Sequence, residues 1–179
     1  MKTHQGMRPH DIVVLLKIIC LDDNWMNKDL ASTLFISNSE ISESLNRSKI
    51  AGLISPDKKK VFKNALINFI ENGLPYVFPV EAGSISKGFA TAHSAPILKD
   101  LFPSEEIYVW PSSLGNAKGQ SINPLYANQV KAVQEDEKLY SMLSLLDAIR
   151  LGRPREQEKA IEILKQLFKN VNAPELNSN

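Results

Sequence analysis

Residues 29–54 read Asp-Leu-Ala-Ser-Thr-Leu-Phe-Ile-Ser-Asn-Ser-Glu-Ile-Ser-Glu-Ser-Leu-Asn-Arg-Ser-Lys-Ile-Ala-Gly-Leu-Ile, and this stretch decides the fold. Leu30, Ala31 and Leu34 share one face of a short helix expected over 27–34. The small side chain of Ala31 lets a second helix cross close above it. Phe35-Ile36-Ser37 is a turn, and Ser37 with Glu40 supplies the Ser-x-x-Glu pattern of a capping box that starts the next helix. In that second helix Ile41, Leu45 and Ile50 are expected to point inward. Ser39, Glu40, Ser42, Glu43, Asn46 and Arg47 then face outward, a polar surface shaped to enter a DNA major groove.

Leu30-Ala31, Leu34, Ile36-Ser37, Ser39-Glu40-Ile41-Ser42, Leu45 and Ala51-Gly52-Leu53-Ile54 together resemble the winged helix-turn-helix of MarR-like bacterial transcription regulators. The resemblance covers about the first third of the chain. It implies a three-helix domain in which Ala51 to Ile54 leads into a small β-wing, here Ser55-Pro56-Asp57-Lys58-Lys59-Lys60-Val61. Pro56-Asp57 is turn chemistry. Two positions depart from the family pattern. Phe35 stands where many such turns carry glycine, and Glu43 stands where many DNA-binding relatives carry arginine.

Composition sets wide bounds. Of 179 residues 43% are hydrophobic and 23% charged, as in an ordinary soluble globular protein. The apolar run from Ile12 to Leu21 is interrupted by Lys17 and closed by Asp22-Asp23, too short for a bilayer span. Met1-Lys2-Thr3-His4 leads into no apolar stretch of the signal-peptide kind. The single cysteine, Cys20, makes an internal disulfide impossible and suits a reducing cytoplasm; in an apolar helix it reads as a buried structural thiol. The net charge of +1 hides an asymmetry: residues 1–64 hold ten Lys/Arg against seven Asp/Glu. Positive charge therefore gathers on the segment that would meet a polyanion.

Outward from the motif, Pro9 and Asp11 open a first helix whose stripe is Ile12, Leu15, Leu16, Ile19 and Cys20. Trp25 reads as a core plug. Residues 61–71 are expected to be helical, with Asn72-Gly73 as the stop. The runs 74–80 and 107–111, bracketed by prolines, read as short strands. Between them residues 81–96, rich in small side chains, read as a long loop, and residues 112–124 as a second irregular stretch. Tyr76-Val77-Phe78-Pro79, Gly88 and Thr91-Ala92-His93-Ser94-Ala95-Pro96 resemble an extension of no assigned role in bacterial proteins with an N-terminal winged helix. That likeness implies a shared domain organisation and no chemistry. From about residue 128 two helical stripes follow, Leu139-Tyr140-Leu143-Leu146-Ile149 and Ala160-Ile161-Leu164-Leu167-Phe168, split by Gly152 and Pro154. A share of that surface reads as a dimer seam, and a frayed tail is expected from residue 173.

The expected fold is therefore mainly α, of α+β class. It comprises a winged helix-turn-helix over 1–73, a short-stranded irregular segment over 74–127, and a helical hairpin with its tail over 128–179. Chemistry is sparse. The three histidines, His4, His10 and His93, are scattered without metal-ligand spacing. No nucleophile elbow, phosphate loop or dinucleotide fingerprint is present in the sequence. No catalytic residue, metal or cofactor is expected, and Glu135-Asp136-Glu137 reads as a helix start. Arg150, Arg153 and Arg155 read as a solvated corner or a contact for phosphates or an acidic partner. The expected function is sequence-specific binding of duplex DNA by a cytoplasmic, homodimeric bacterial regulator. Base contacts fall to Ser39, Ser42, Glu43, Asn46 and Arg47, and phosphate contacts to Ser37, Asn38, Lys58, Lys59 and Lys60. Lys87, Thr91, His93 and Ser94 mark a candidate effector or partner loop. The rival reading is a protein-interaction module, such as an antitoxin or adaptor that meets a second protein, with an enzyme third.

Overall fold

A computed structural model describes residues 6–170 as a mixed α+β chain. The frayed tail expected from residue 173, and His4, lie outside the described residues. α1 (Pro9–Ile19) starts on a proline, whose missing N–H costs nothing in a first turn. The Asp11 carboxylate reaches back 2.7 Å to accept from the Arg8 backbone N–H. α2 (Asn27–Leu34) and α3 (Asn38–Ile50) follow with the boundaries that the leucine spacing and the Ser37 cap predict. Ile54 and Val61 then form an isolated antiparallel bridge closed by the 55–60 hairpin. α4 (Lys63–Asn72) follows and packs on helices from later in the chain.

The run 74–80 is not a strand. Gly73 ends α4, donating its N–H to Phe69, but the chain re-enters a helical turn at once as α5 (Leu74–Val77). Pro75 sits in that first turn, where proline is tolerated, and Leu74 is buried, so tertiary burial outweighs the β-type composition. The long loop expected over 81–96 is also corrected. It holds β1 (Ile85–Ala90) and a 3-10 turn (Ala92–Ser94), while β2 (Tyr108–Pro111) is where the sequence puts it. β3 (Ala117–Ser121) falls in the second stretch read as irregular. Its Ala-Lys-Gly-Gln-Ser composition has no β-branched residue to announce it.

The three strands close on one another. β1 runs antiparallel to β3 with its first half and to β2 with its second, and β2 and β3 pair in parallel. Gly88 is the hinge of this arrangement, since it faces both Pro111 and Ala117. A Cβ added there would sit inside the Trp110 carbonyl, and one at Gly115 inside the Gly88 backbone. Neither obstacle is a side chain able to rotate away. Gly88→Ala is expected to cost about 1–3 kcal/mol by overpacking. Thermal denaturation checks this, and an unchanged midpoint would contradict the three-way closure.

α6 (Gln129–Val133), α7 (Glu137–Leu151) and α8 (Pro154–Asn170) complete the chain. α7 and α8 form the expected helical pair, with Ala160, Leu164 and Phe168 buried at their seam. α7 is more than an amphipathic helix. Every residue from Met142 to Ile149 is buried, because α1, α4, α5, α6, α8 and the 3-10 turn all pack around it. The hydrophobic core runs unbroken from Ile12 in α1 through Leu74, Trp110 and Leu145 to Phe168 in α8. The three segments distinguished in the sequence thus share one interior.

Candidate nucleic-acid interface

The turn between α2 and α3 is set by one residue. Phe35 adopts left-handed backbone angles, φ 54° and ψ 43°, and the Ile36 N–H returns to the Ala31 carbonyl at 3.1 Å. This six-to-one bond is the Schellman closure of a helix, with phenylalanine in the slot that usually takes glycine. The left-handed region costs an L-residue about 1–2 kcal/mol. Contacts from a distant part of the chain offset that cost. The Asn128 side-chain amide donates to the Phe35 carbonyl at 2.9 Å, the Tyr126 hydroxyl donates to the Leu34 carbonyl at 3.0 Å, and the Lys131 ammonium lies 4.0 Å from the Phe35 ring centre.

α3 then begins as its capping residues dictate. The Ser37 hydroxyl accepts from the Glu40 N–H at 3.2 Å, which is half of the expected capping box. The Glu40 carboxylate does not return to Ser37; it is drawn to Arg47 at 2.5 Å and His10 at 2.8 Å. Asn38, Ser39 and Glu43 are exposed, and Ser42 and Asn46 are half-exposed, so this part of the expected reading surface does face outward. Ser42 also accepts from the Asn27 side chain of α2 at 3.2 Å.

Arg47 is the main correction. It is only 7% exposed and lies on the α1 side of α3, not on the outer face. Its Nε and Nη2 each donate at 2.8 Å to the two oxygens of Asp11, a residue with no exposed surface. The Asp11 hydrogen bonds raise the already high pKa of the guanidinium further, despite its burial. Burial pushes the Glu40 carboxyl up, but hydrogen bonds from Arg47 and His10 outweigh it and hold the group below its ordinary value. Arg47 therefore joins α1 to α3 and is removed from the expected base contacts. Ile50 is corrected in the opposite sense: expected inside, it is 62% exposed, while Ser44 and Ser48 occupy the buried face. Two small residues one turn apart let a neighbouring helix approach more closely than leucines would.

The 55–60 hairpin is stiff and polar. The Lys58 N–H closes a turn on the Ser55 carbonyl at 2.8 Å, and the Ser55 hydroxyl accepts from the Lys60 N–H at 2.9 Å. The Ser55 hydroxyl and the Lys59 N–H bond the Asp57 carboxylate and keep its pKa low. The three lysines part company. Lys58 hydrogen-bonds the Asn46 side chain and so ties the hairpin to α3. Lys59 turns away, donating to the Trp25 carbonyl at 2.8 Å with its ammonium 4.3 Å from the Trp25 ring centre. Lys60 is exposed. The expected lysine cluster thus divides: Lys58 is tied to α3, Lys59 is committed to the buried Trp25, and Lys60 is exposed.

The structure divides the four residues of the candidate effector loop among separate contacts. Thr91 and His93 are buried, and the His93 Nε2 lies 2.8 Å from the Glu106 carbonyl, with its ring edge-to-face against Tyr108. The Ser94 hydroxyl accepts from the Tyr108 N–H at 3.0 Å. Lys87 is exposed on β1 opposite Lys118. Thr91 belongs to a knot around Asp147, which is 1% exposed on α7. Asp147 accepts from the Thr91 hydroxyl at 2.8 Å, the Trp110 indole N–H at 2.6 Å and Arg150 at 3.0 Å. Burial raises the Asp147 pKa against those three donors. Arg150 also donates to the Phe78 carbonyl at 2.8 Å, so it leaves the solvated corner where Arg153 and Arg155 remain.

Among the described residues, ligand atoms of His10, Asp11 and Glu40 lie within 4.8 Å of one another. The cation at their centre is the Arg47 guanidinium, which bonds both carboxylates and approaches His10 Nε2 at 3.3 Å. Cys20, expected to be buried within its helix, is half-buried at the C-terminal end of α1; burial, and then Asp136, push its thiol up to about 11. Asp136 caps α7 at the Leu139 N–H and pairs with Lys17 at 2.6 Å, in keeping with a helix start at 135–137. Sequence reading missed two buried carboxylates and the three residues that touch the Phe35 turn. Asp147 carries a visible signal, a lone charge inside Leu-Leu-Asp-Ala-Ile. Tyr126, Asn128 and Lys131 carry none, because their partners lie more than ninety residues away. Comparison of the chain with protein families, with curated proteins and with solved structures gave no match.

Proposed function

We propose that residues 9–62 act as a winged helix-turn-helix that binds duplex DNA, with the chain working as a homodimeric transcription regulator. The observation that carries this reading is the exposed N-terminal half of α3, flanked by a basic hairpin hydrogen-bonded to it through Lys58 and Asn46. Ser39, Ser42, Glu43 and Asn46 are the base-contacting set. Asn46 suits adenine, and the Glu43 carboxylate accepts from a cytosine amino group. The start of α3 at Asn38 and Ser39 turns backbone N–H groups toward a phosphate, and Lys58 and Lys60 meet the strand beside it. Lys28 at the start of α2 and Lys49 near the end of α3 are exposed and add to the positive field. Two copies related by a dyad would read a palindrome with half-sites one DNA turn apart.

A salt titration tests the proposal. Binding to random duplex DNA is expected to weaken steeply with salt, and Lys58→Ala with Lys60→Ala should reduce the log–log slope by about 2. Absence of binding at low salt would sink the regulator reading. The second reading, a protein-interaction module such as an antitoxin or adaptor, is favoured by the exposure of Ile50 and Glu43 on the same helix. An exposed apolar side chain two turns along from a carboxylate suits a protein groove better than a phosphate backbone.

A further inference from the structure

The Phe35 turn precedes α3 by three residues, so its conformation sets where the helix starts and which way it points. Left-handed backbone at a residue with a Cβ persists only where the surroundings over-determine it. Here the surroundings are a single stretch of chain far away in sequence: Tyr126 on the Leu34 carbonyl, Asn128 on the Phe35 carbonyl and Lys131 over the Phe35 ring. The two carbonyls belong to the C-terminal turn of α2, where helix geometry leaves acceptors without an internal partner. Removing their donors exposes the strain at Phe35 and unties the last turn.

We infer that Tyr126, Asn128 and Lys131 form a clamp that holds the α2–α3 turn left-handed and thereby positions α3 for recognition. These are positioning residues: none of them belongs to the face proposed to meet DNA. The inference rests on the DNA-binding reading for its functional consequence, but the clamp itself has a readout that does not. Lys131 and Tyr126 also line an open cleft of about 770 Å³ with Pro111, Leu114 and Pro124. The clamp therefore stands between the surface of the strand segment and the recognition helix.

The test uses the full chain and two charge-neutral changes, Tyr126→Phe with Asn128→Ala, made both in the natural background and with Phe35→Gly. Glycine adopts the left-handed turn without a Cβ penalty, so it should make the clamp dispensable. In the natural background the double change is expected to speed hydrogen exchange at the Ile36 amide and to weaken duplex DNA binding about five- to tenfold, the worth of two modest hydrogen bonds. With Phe35→Gly the same change should alter either quantity less than about twofold. Equal losses in both backgrounds, or no change at Ile36 in the natural one, would overturn the clamp. If exchange responds as expected but no variant binds DNA, the clamp stands and the DNA reading falls.

Discussion

Arg47→Ala is expected to lower the thermal midpoint by about 10 °C, from a loss of roughly 3–5 kcal/mol, without changing the salt slope of DNA binding. The change strips Asp11 of both guanidinium bonds and leaves a carboxylate with no exposed surface held by the Arg8 backbone N–H, with His10 Nε2 at 3.7 Å. Glu40 loses its shortest partner at the same time and keeps only His10 and the long contact to Arg8 at 3.4 Å. Lysine is no substitute, because one ammonium cannot reproduce the forked contact to Asp11 while also reaching Glu40. Arg47→Met combined with Asp11→Asn should cost less than the sum of the two single changes, since it removes the stranded charge with its partner. Denaturation and a salt titration on the same variants separate the two roles. A normal midpoint with a shallower salt slope would return Arg47 to the face proposed to meet DNA.

Asp147→Ala is expected to be at least as damaging, by about 3–5 kcal/mol. Three donors converge on this carboxylate, from β2, from the residue after β1 and from α7 itself. Alanine would orphan the Trp110 indole N–H and the Thr91 hydroxyl, both fully buried, and leave Arg150 with only the Phe78 carbonyl. Asp147→Asn should be intermediate, since its carbonyl oxygen still serves Trp110 and Thr91 while its amide faces Arg150 unfavourably. Chemical denaturation with Trp110 fluorescence checks the order. Asparagine as harmful as alanine would mean that the charge, not the acceptor geometry, governs the knot.

Legibility of the chain from sequence followed the range of the interactions. The helices whose signals are local, such as α2 with its leucines and α3 with Ser37, were legible almost to the residue. β1 and β3 were not, because Gly88, Gly115 and Gly119 serve backbone approach between strands and look like loop residues in isolation. The helical turn at 74–77 was hidden for a related reason: Tyr-Val-Phe favours strands until Leu74 is pulled into the core by α7. In the candidate site, spacing placed Ser39, Ser42 and Glu43 on the outer face as the structure has them, while Glu40 turns to Arg47 and His10. It failed at Arg47, where a position at the edge of the outer face was captured by Asp11, and at Lys59, captured by Trp25. Both captures depend on partners more than thirty residues away.

The burial of α7 on every side bears on how such a protein can be divided. Residues 1–73 read in sequence as a domain of their own, yet Lys17 is paired with Asp136, Lys63 donates to the Phe168 carbonyl, and the turn at Leu34–Phe35 is held from Tyr126 and Asn128. A fragment cut at residue 73 would carry the outline of the first three helices with its internal wall missing. Recombination could not trade this head between proteins as a cartridge; head and body would have to be inherited together.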